Sequence, residues 1–89
     1  MTWKIQFESA ALQELKKLDE QIARRILKFL HHRVALLDNP RSIGEALKGS
    51  RFGELWRYRV GDYRVITHIE DQVLCILVVR VGNRRDIYR

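Results

Sequence analysis

LWRYRVGDYRV, residues 55–65, is the stretch whose reading decides the fold. Its first half alternates. Trp56, Tyr58 and Val60 fall on one side of an extended chain, and Leu55, Arg57 and Arg59 fall on the other, because successive strand side chains point to opposite faces. Gly61-Asp62 then has the length and composition of a tight hairpin turn. A turn of that length pairs Val60 with Tyr63, sets Arg59 opposite Arg64, and sets Arg57 opposite Ile66. One face therefore carries Trp56, Tyr58, Val60, Tyr63, Val65, Thr67 and Ile69. The other carries Leu55, Arg57, Arg59, Arg64, Ile66 and His68. The aromatic face is expected to bury against helices and the arginine face to look outward. Like charges directly opposite each other destabilise a sheet. No acidic residue alternates with these arginines on their face, so nothing local is expected to neutralise them. An anion-binding face is the favoured reading, and a merely solvated one is the alternative.

Working outward, the hairpin is followed by Asp71-Gln72, a second short connection, and by VLCILVVRV, residues 73–81. That third strand is apolar on both faces, which predicts a central place in the sheet. Upstream, TWKIQF (residues 2–7) alternates as a strand. Ser9 offers an N-cap for a helix from about Ala10 to Leu18, with Leu12, Leu15 and Leu18 at helical spacing. Asp19 opens a longer second helix, where Ile22, Ile26, Phe29, Leu30, Val34 and Leu37 share a face. Asp38-Asn39-Pro40 is expected to end it. Residues 38–53 read as a connector in which ALKGS forms a short turn or strand start. The expected architecture is α+β, in the order β-α-α-β-β-β. One antiparallel sheet carries a helical hairpin on one face, as a single domain over residues 1–89.

Composition bounds the function. A chain of 89 residues with 46% hydrophobic side chains can bury one core without metal or disulfide staples. Cys75 is the lone cysteine and reads as a buried strand residue. The N-terminus has no apolar signal-peptide region and no stretch approaches a membrane span, so a reduced, cytoplasmic setting is expected. Seventeen basic against eleven acidic residues give a net charge of +6, which favours a polyanionic partner. From residue 51 onward every Lys or Arg position is arginine: 51, 57, 59, 64, 80, 84, 85 and 89. Arginine adds a planar fork that grips phosphate bidentately and stacks on bases. The tail VGNRRDIYR (residues 81–89) sets Arg84, Arg85 and Arg89 beside Tyr88. Arginines that track phosphate and a ring that stacks on a base are how single-stranded nucleic acid is held. Arg51, Arg85 and Arg89 are accordingly read as RNA-binding. Tyr88 reads equally well as a ring that packs the tail onto the sheet.

These motifs resemble the RelE/ParE superfamily of bacterial toxins from type II toxin–antitoxin modules. The resemblance runs from ALQELKKL (residues 11–18) through a Pro40…Leu47-Lys48-Gly49 connector, WRYRVGDYRVI (56–66) and VVRVGNRRDIY (78–88). The hairpin and the tail are its specific parts, and the basic and aromatic residues of the tail favour the RelE-like branch. That branch implies a RelE-like microbial RNase-type fold and a ribosome-dependent mRNA endonuclease, an mRNA interferase that inhibits translation. Such toxins cut in the ribosomal A site without metal or other cofactor, by attack of a ribose 2′-hydroxyl on the adjacent phosphate. Carried over by motif, the catalytic group is Arg57, Arg59, Arg64, Arg84 and Tyr88. Several relatives have Lys at the hairpin positions, whereas both are Arg here. Many have His where this chain has Asn83. His68 and Asp86 remain as acid/base candidates, and the general base is left open. The resemblance also implies an acidic antitoxin with a helical segment laid over the basic face. Operator DNA would be reached chiefly through that antitoxin, in the bacterial cytoplasm. The alternatives are a ParE-like DNA gyrase inhibitor without nuclease activity, which shares the GDYRVI hairpin, and a plain RNA-binding module.

Overall fold

A computed structural model describes residues 2–47 and 54–85. In chain order the elements are β1 (Lys4–Phe7), α1 (Ser9–Lys16), α2 (Glu20–His32), β2 (Glu45–Leu47), β3 (Leu55–Val60), β4 (Tyr63–Glu70) and β5 (Cys75–Asn83). The strands form one sheet in the order β1-β5-β4-β3-β2. The α+β class and the element order are as expected, and β5 lies inside the sheet, between β1 and β4, rather than at an edge. Two features go beyond the expectation. β2 adds a fifth strand, antiparallel to β3. β1 joins β5 in parallel, with Ile5 beside Ile76, so the sheet is mixed rather than wholly antiparallel.

The hairpin register follows from the turn length. Val60 pairs with Tyr63, Arg59 with Arg64 and Arg57 with Ile66. Gly61 supplies the turn with φ of 61°, a conformation that costs glycine little. Tyr58, Val60, Val65 and Ile69 enter the core with Ile76, Val78 and Val81, and Ile26 and Leu30 of α2 cover them. A bulge lies between Ile66 and Thr67 against β5, leaving Val79 between the partners of these two residues.

Both helices depart from the expected bounds. Glu8, not Ser9, is the N-cap of α1, and its side chain makes no capping bond. Ala11 and Leu15 form the buried stripe of α1, while Leu12 is exposed. Asp19 does cap α2, its carboxylate accepting from the Gln21 N–H at 3.2 Å. α2 ends at His32, where Arg33 leaves helical geometry, and Val34–Leu36 forms a 3-10 turn instead. The Ala35 carbonyl accepts from the Trp3 N–H at 2.8 Å, which ties the start of the chain to this turn. Val34 keeps its core position, but Leu37 lies beyond any helix. The second connection is also longer than two residues, with Asp71–Val73 in a 3-10 turn and Leu74 left-handed at φ 49°.

Two contacts hold the connector to the sheet. Arg41 grips Asp71 through both guanidinium nitrogens, at 3.0 and 2.7 Å, and lies 5.8 Å from the Trp56 ring. Tyr58 is fully buried, and its hydroxyl donates to the Pro40 carbonyl at 2.5 Å. Its ring stands edge-on to Phe29 at 6.1 Å. Burial pushes its phenol pKa up to about 12, so it remains a donor throughout the physiological range. Tyr58→Phe strips the Pro40 carbonyl of this donor. The expected loss of stability is about 1–3 kcal/mol. Urea unfolding should show it as a lowered midpoint at unchanged slope. An unchanged midpoint would mean that the bond contributes nothing net.

Candidate nucleic-acid interface

The arginine face is built by the alternation of β3 and β4, and a neighbour that the sequence reading missed changes its chemistry. β2 places Glu45 opposite Arg57. One Glu45 carboxylate oxygen accepts from the Arg57 guanidinium at 2.7 Å, and the other lies 3.1 Å from Arg59 Nε. The expectation that nothing local neutralises these arginines is therefore corrected. Glu45 bridges both. The Arg57 hydrogen bond, foremost, and the charges of Arg57, Arg59 and Arg64 hold the Glu45 carboxyl below the usual carboxylate range. Glu45 is about half exposed, so this is an accessible, screened cluster rather than a buried ion pair.

The three arginines are not equivalent. Arg59 has 56% of its side chain exposed, whereas Arg57 has 20%. Arg64 does not stand outward as expected: the residue is only 9% exposed. Its Nη1 donates to the Tyr63 carbonyl at 3.1 Å and to the Gly61 carbonyl at 3.3 Å. It thus braces the turn while adding positive charge behind Glu45. Glu45 leaves no sequence motif of its own. Its one signal is position, two residues before Leu47 in a segment that pairs with the arginine strand.

Arg84 and Arg85 flank the same turn from the β5 side. The Arg84 N–H donates to the Asp62 carbonyl at 3.0 Å, and the Arg85 N–H donates to Asn83 Oδ1 at 3.0 Å. With Asp62 and Asn83 they line a concavity of about 330 Å3. The tail arginine is therefore brought to the hairpin end of the arginine face. His68 is not. It lies on the same face but four residues along β4 from Arg64, roughly 13 Å at strand rise. Its Nδ1 is 3.7 Å from Glu70, and it lines an apolar hollow of about 590 Å3 with Leu55, Ile66, Leu77 and Val79. Arg51, Asp86, Tyr88 and Arg89 lie outside the described residues. Among the described residues no three His, Cys, Asp or Glu side chains converge as metal ligands would, and no helix is long and apolar enough to cross a membrane.

Comparison with known proteins places the chain in a family. Residues 5–88 match the family described as ParE toxin of type II toxin–antitoxin system, parDE. A putative RelE-like toxin protein of Escherichia coli is 31% identical over 90 residues, covering 99% of this chain and 92% of the relative. The mRNA interferase toxin RelE of Escherichia coli strain K12 is 27% identical over 84 residues, covering 94% of this chain and 85% of the relative. A crystal structure of an archaeal RelE–RelB complex from Pyrococcus horikoshii superposes with a TM-score of 0.74 at 27% identity, covering 97% of this chain and 99% of that one.

Proposed function

We propose, for a chain that belongs to the ParE toxin family of type II toxin–antitoxin systems and to the RelE/ParE superfamily, that it cuts messenger RNA on the ribosome. The observation that carries this reading is the Arg57–Glu45–Arg59 cluster with Arg64 behind it. It unites on one sheet face the charges that a phosphoryl transition state needs and a carboxylate able to take a proton. A substrate phosphate would accept the guanidinium bonds that Glu45 now receives. In-line attack builds negative charge on the phosphate oxygens, and preorganised guanidinium groups stabilise it most effectively. Freed from Arg57, the Glu45 carboxylate regains proton affinity, since that hydrogen bond is the first cause of its lowered pKa. It then takes the 2′-hydroxyl proton, the 2′-oxygen bonds to phosphorus, and the 5′-oxygen leaves, taking its proton from water and giving a 2′,3′-cyclic phosphate. This reading replaces His68 as the base candidate, because His68 sits at the far end of the face. Arg84 and Tyr88 enter on the family motif, to hold the next phosphate and the base.

The name of the mRNA interferase relative supports the nuclease reading over gyrase inhibition. The RelE–RelB complex supports a cognate antitoxin, which for this basic face would be acidic. Purified protein added to translating ribosomes should give discrete primer-extension stops within the message. The same preparation should leave gyrase supercoiling unchanged. Intact mRNA together with poisoned gyrase would establish the gyrase alternative instead.

A further inference from the structure

Positive charge on this protein does not end at the arginine face. From Gln21 to Leu37 the sequence holds no carboxylate, while it holds Arg24, Arg25, Lys28 and Arg33 with His31 and His32. Arg24 is paired with Glu20 at 2.8 Å. The others that matter recur at three and four: positions 25, 28, 29, 32 and 33 form one stripe along α2 and its C-cap, about 12 Å long at helical rise. That stripe is one wall of a groove of about 430 Å3, and Arg59, Val60 and Gly61 form the other wall. None of the lining residues is acidic. Arg25 reaches the turn itself, since a Cβ on Gly61 would sit 3.2 Å from its Nη1. Arg33 lies 6.0 Å from the Phe29 ring, which floors the groove. A second hollow of about 220 Å3 shares Phe29, Arg33 and Arg59 and adds Arg57 and Glu45. The groove therefore adjoins the Arg57–Glu45–Arg59 cluster, with Phe29, Arg33 and Arg59 shared between the two hollows.

We propose that this α2–β3 groove is a second phosphate-backbone site, holding the phosphodiester chain of an RNA outside the reacting cluster. The inference rests on the proposed RNA substrate but not on cleavage. Four permanent cations, Arg25, Lys28, Arg33 and Arg59, without a carboxylate among the lining residues suit successive phosphates, and contacts to phosphate carry no information on base identity. An acidic peptide is the competing occupant, but the stripe carries only Phe29 as an apolar anchor, and that ring is half-buried. Protein interfaces depend on such anchors.

Fluorescence anisotropy with fully 2′-O-methylated RNA, which offers no 2′-hydroxyl to attack, tests binding apart from chemistry. For Arg25→Gln/Lys28→Gln/Arg33→Gln the expected result is roughly tenfold weaker binding near physiological salt. The slope of log affinity against log salt should shrink by about 2, at about 0.7 per lost phosphate contact. Lys28→Gln alone should shrink it by about 0.7 and guards against misfolding of the triple variant, which circular dichroism would detect. Tighter binding of a 12-mer than a 4-mer, only with the groove intact, identifies the occupant as the same strand. Groove-dependent binding of a hairpin duplex without that length effect identifies a separate RNA helix. Both keep the proposal. Unchanged binding and slope in the variants overturn it, as does unchanged RNA binding with lost affinity for an acidic helical peptide. A wild-type protein that fails to cleave but keeps groove-dependent binding would sink the nuclease reading and leave this one standing.

Discussion

Arg57→Ala is expected to lower single-turnover mRNA cleavage on programmed ribosomes by roughly 10²–10³-fold, the range measured when one preorganised donor is removed from a charge-building site. Arg57 is the arginine best placed for that role. It is four-fifths covered, so its guanidinium is held in place rather than sampling solvent, and its fork already binds an anionic oxygen at 2.7 Å. Arg59→Ala should cost less, roughly tenfold, because an exposed side chain contributes positioning more than fixed charge. Arg57→Lys restores charge without the fork and should fall between wild type and Arg57→Ala. Quantitative primer extension at saturating toxin separates these rates from ribosome binding. An Arg57→Ala rate within about threefold of wild type, under 1 kcal/mol of barrier, would remove Arg57 from the chemistry.

The contrast between Arg57 and Arg64 shows what local pattern can and cannot convey. Period-two alternation across Gly61-Asp62 determines the Arg59–Arg64 and Arg57–Ile66 register, because a two-residue turn leaves no freedom to slip. It says nothing of Arg64's burial, which depends on where the turn carbonyls of Gly61 and Tyr63 point. The end of α2 was equally hidden. Val34 and Leu37 continue the apolar spacing, yet the backbone departs at Arg33, and the Ala35 carbonyl is bonded to Trp3 near the other end of the chain segment. The parallel β1–β5 pair joins residues some seventy positions apart, beyond the reach of any turn rule. β2 spans three residues, too few for alternation to register, and it carries the carboxylate that completes the site. The arginines were legible one strand at a time, but their counter-ion comes from twelve residues away and depended on sheet order.

That counter-ion has the second large expected effect. Glu45→Gln keeps the size of the side chain and an acceptor oxygen but removes the base, and the expected loss in cleavage rate is roughly 10²–10⁴-fold. The same change removes the carboxylate that competes with phosphate for Arg57 and Arg59, so binding of a non-cleavable RNA should tighten while cleavage falls. A residue needed only to hold the arginines would weaken both together. The pH dependence gives a second, independent readout. A general base must be deprotonated to act, so activity is lost as pH falls through its pKa. For Glu45, held below the usual carboxylate range chiefly by the Arg57 hydrogen bond, the free protein should be fully competent down to pH 6 and lose activity only in the acid range beneath. A histidine base with an ordinary imidazole pKa near 6.5 would retain about a quarter of its unprotonated form at pH 6. A kcat/KM profile flat from pH 8 to 6, together with opposite effects of Glu45→Gln on RNA affinity and cleavage, assigns the proton to Glu45. A decline centred near pH 6.5 that survives Glu45→Gln would return it to a histidine.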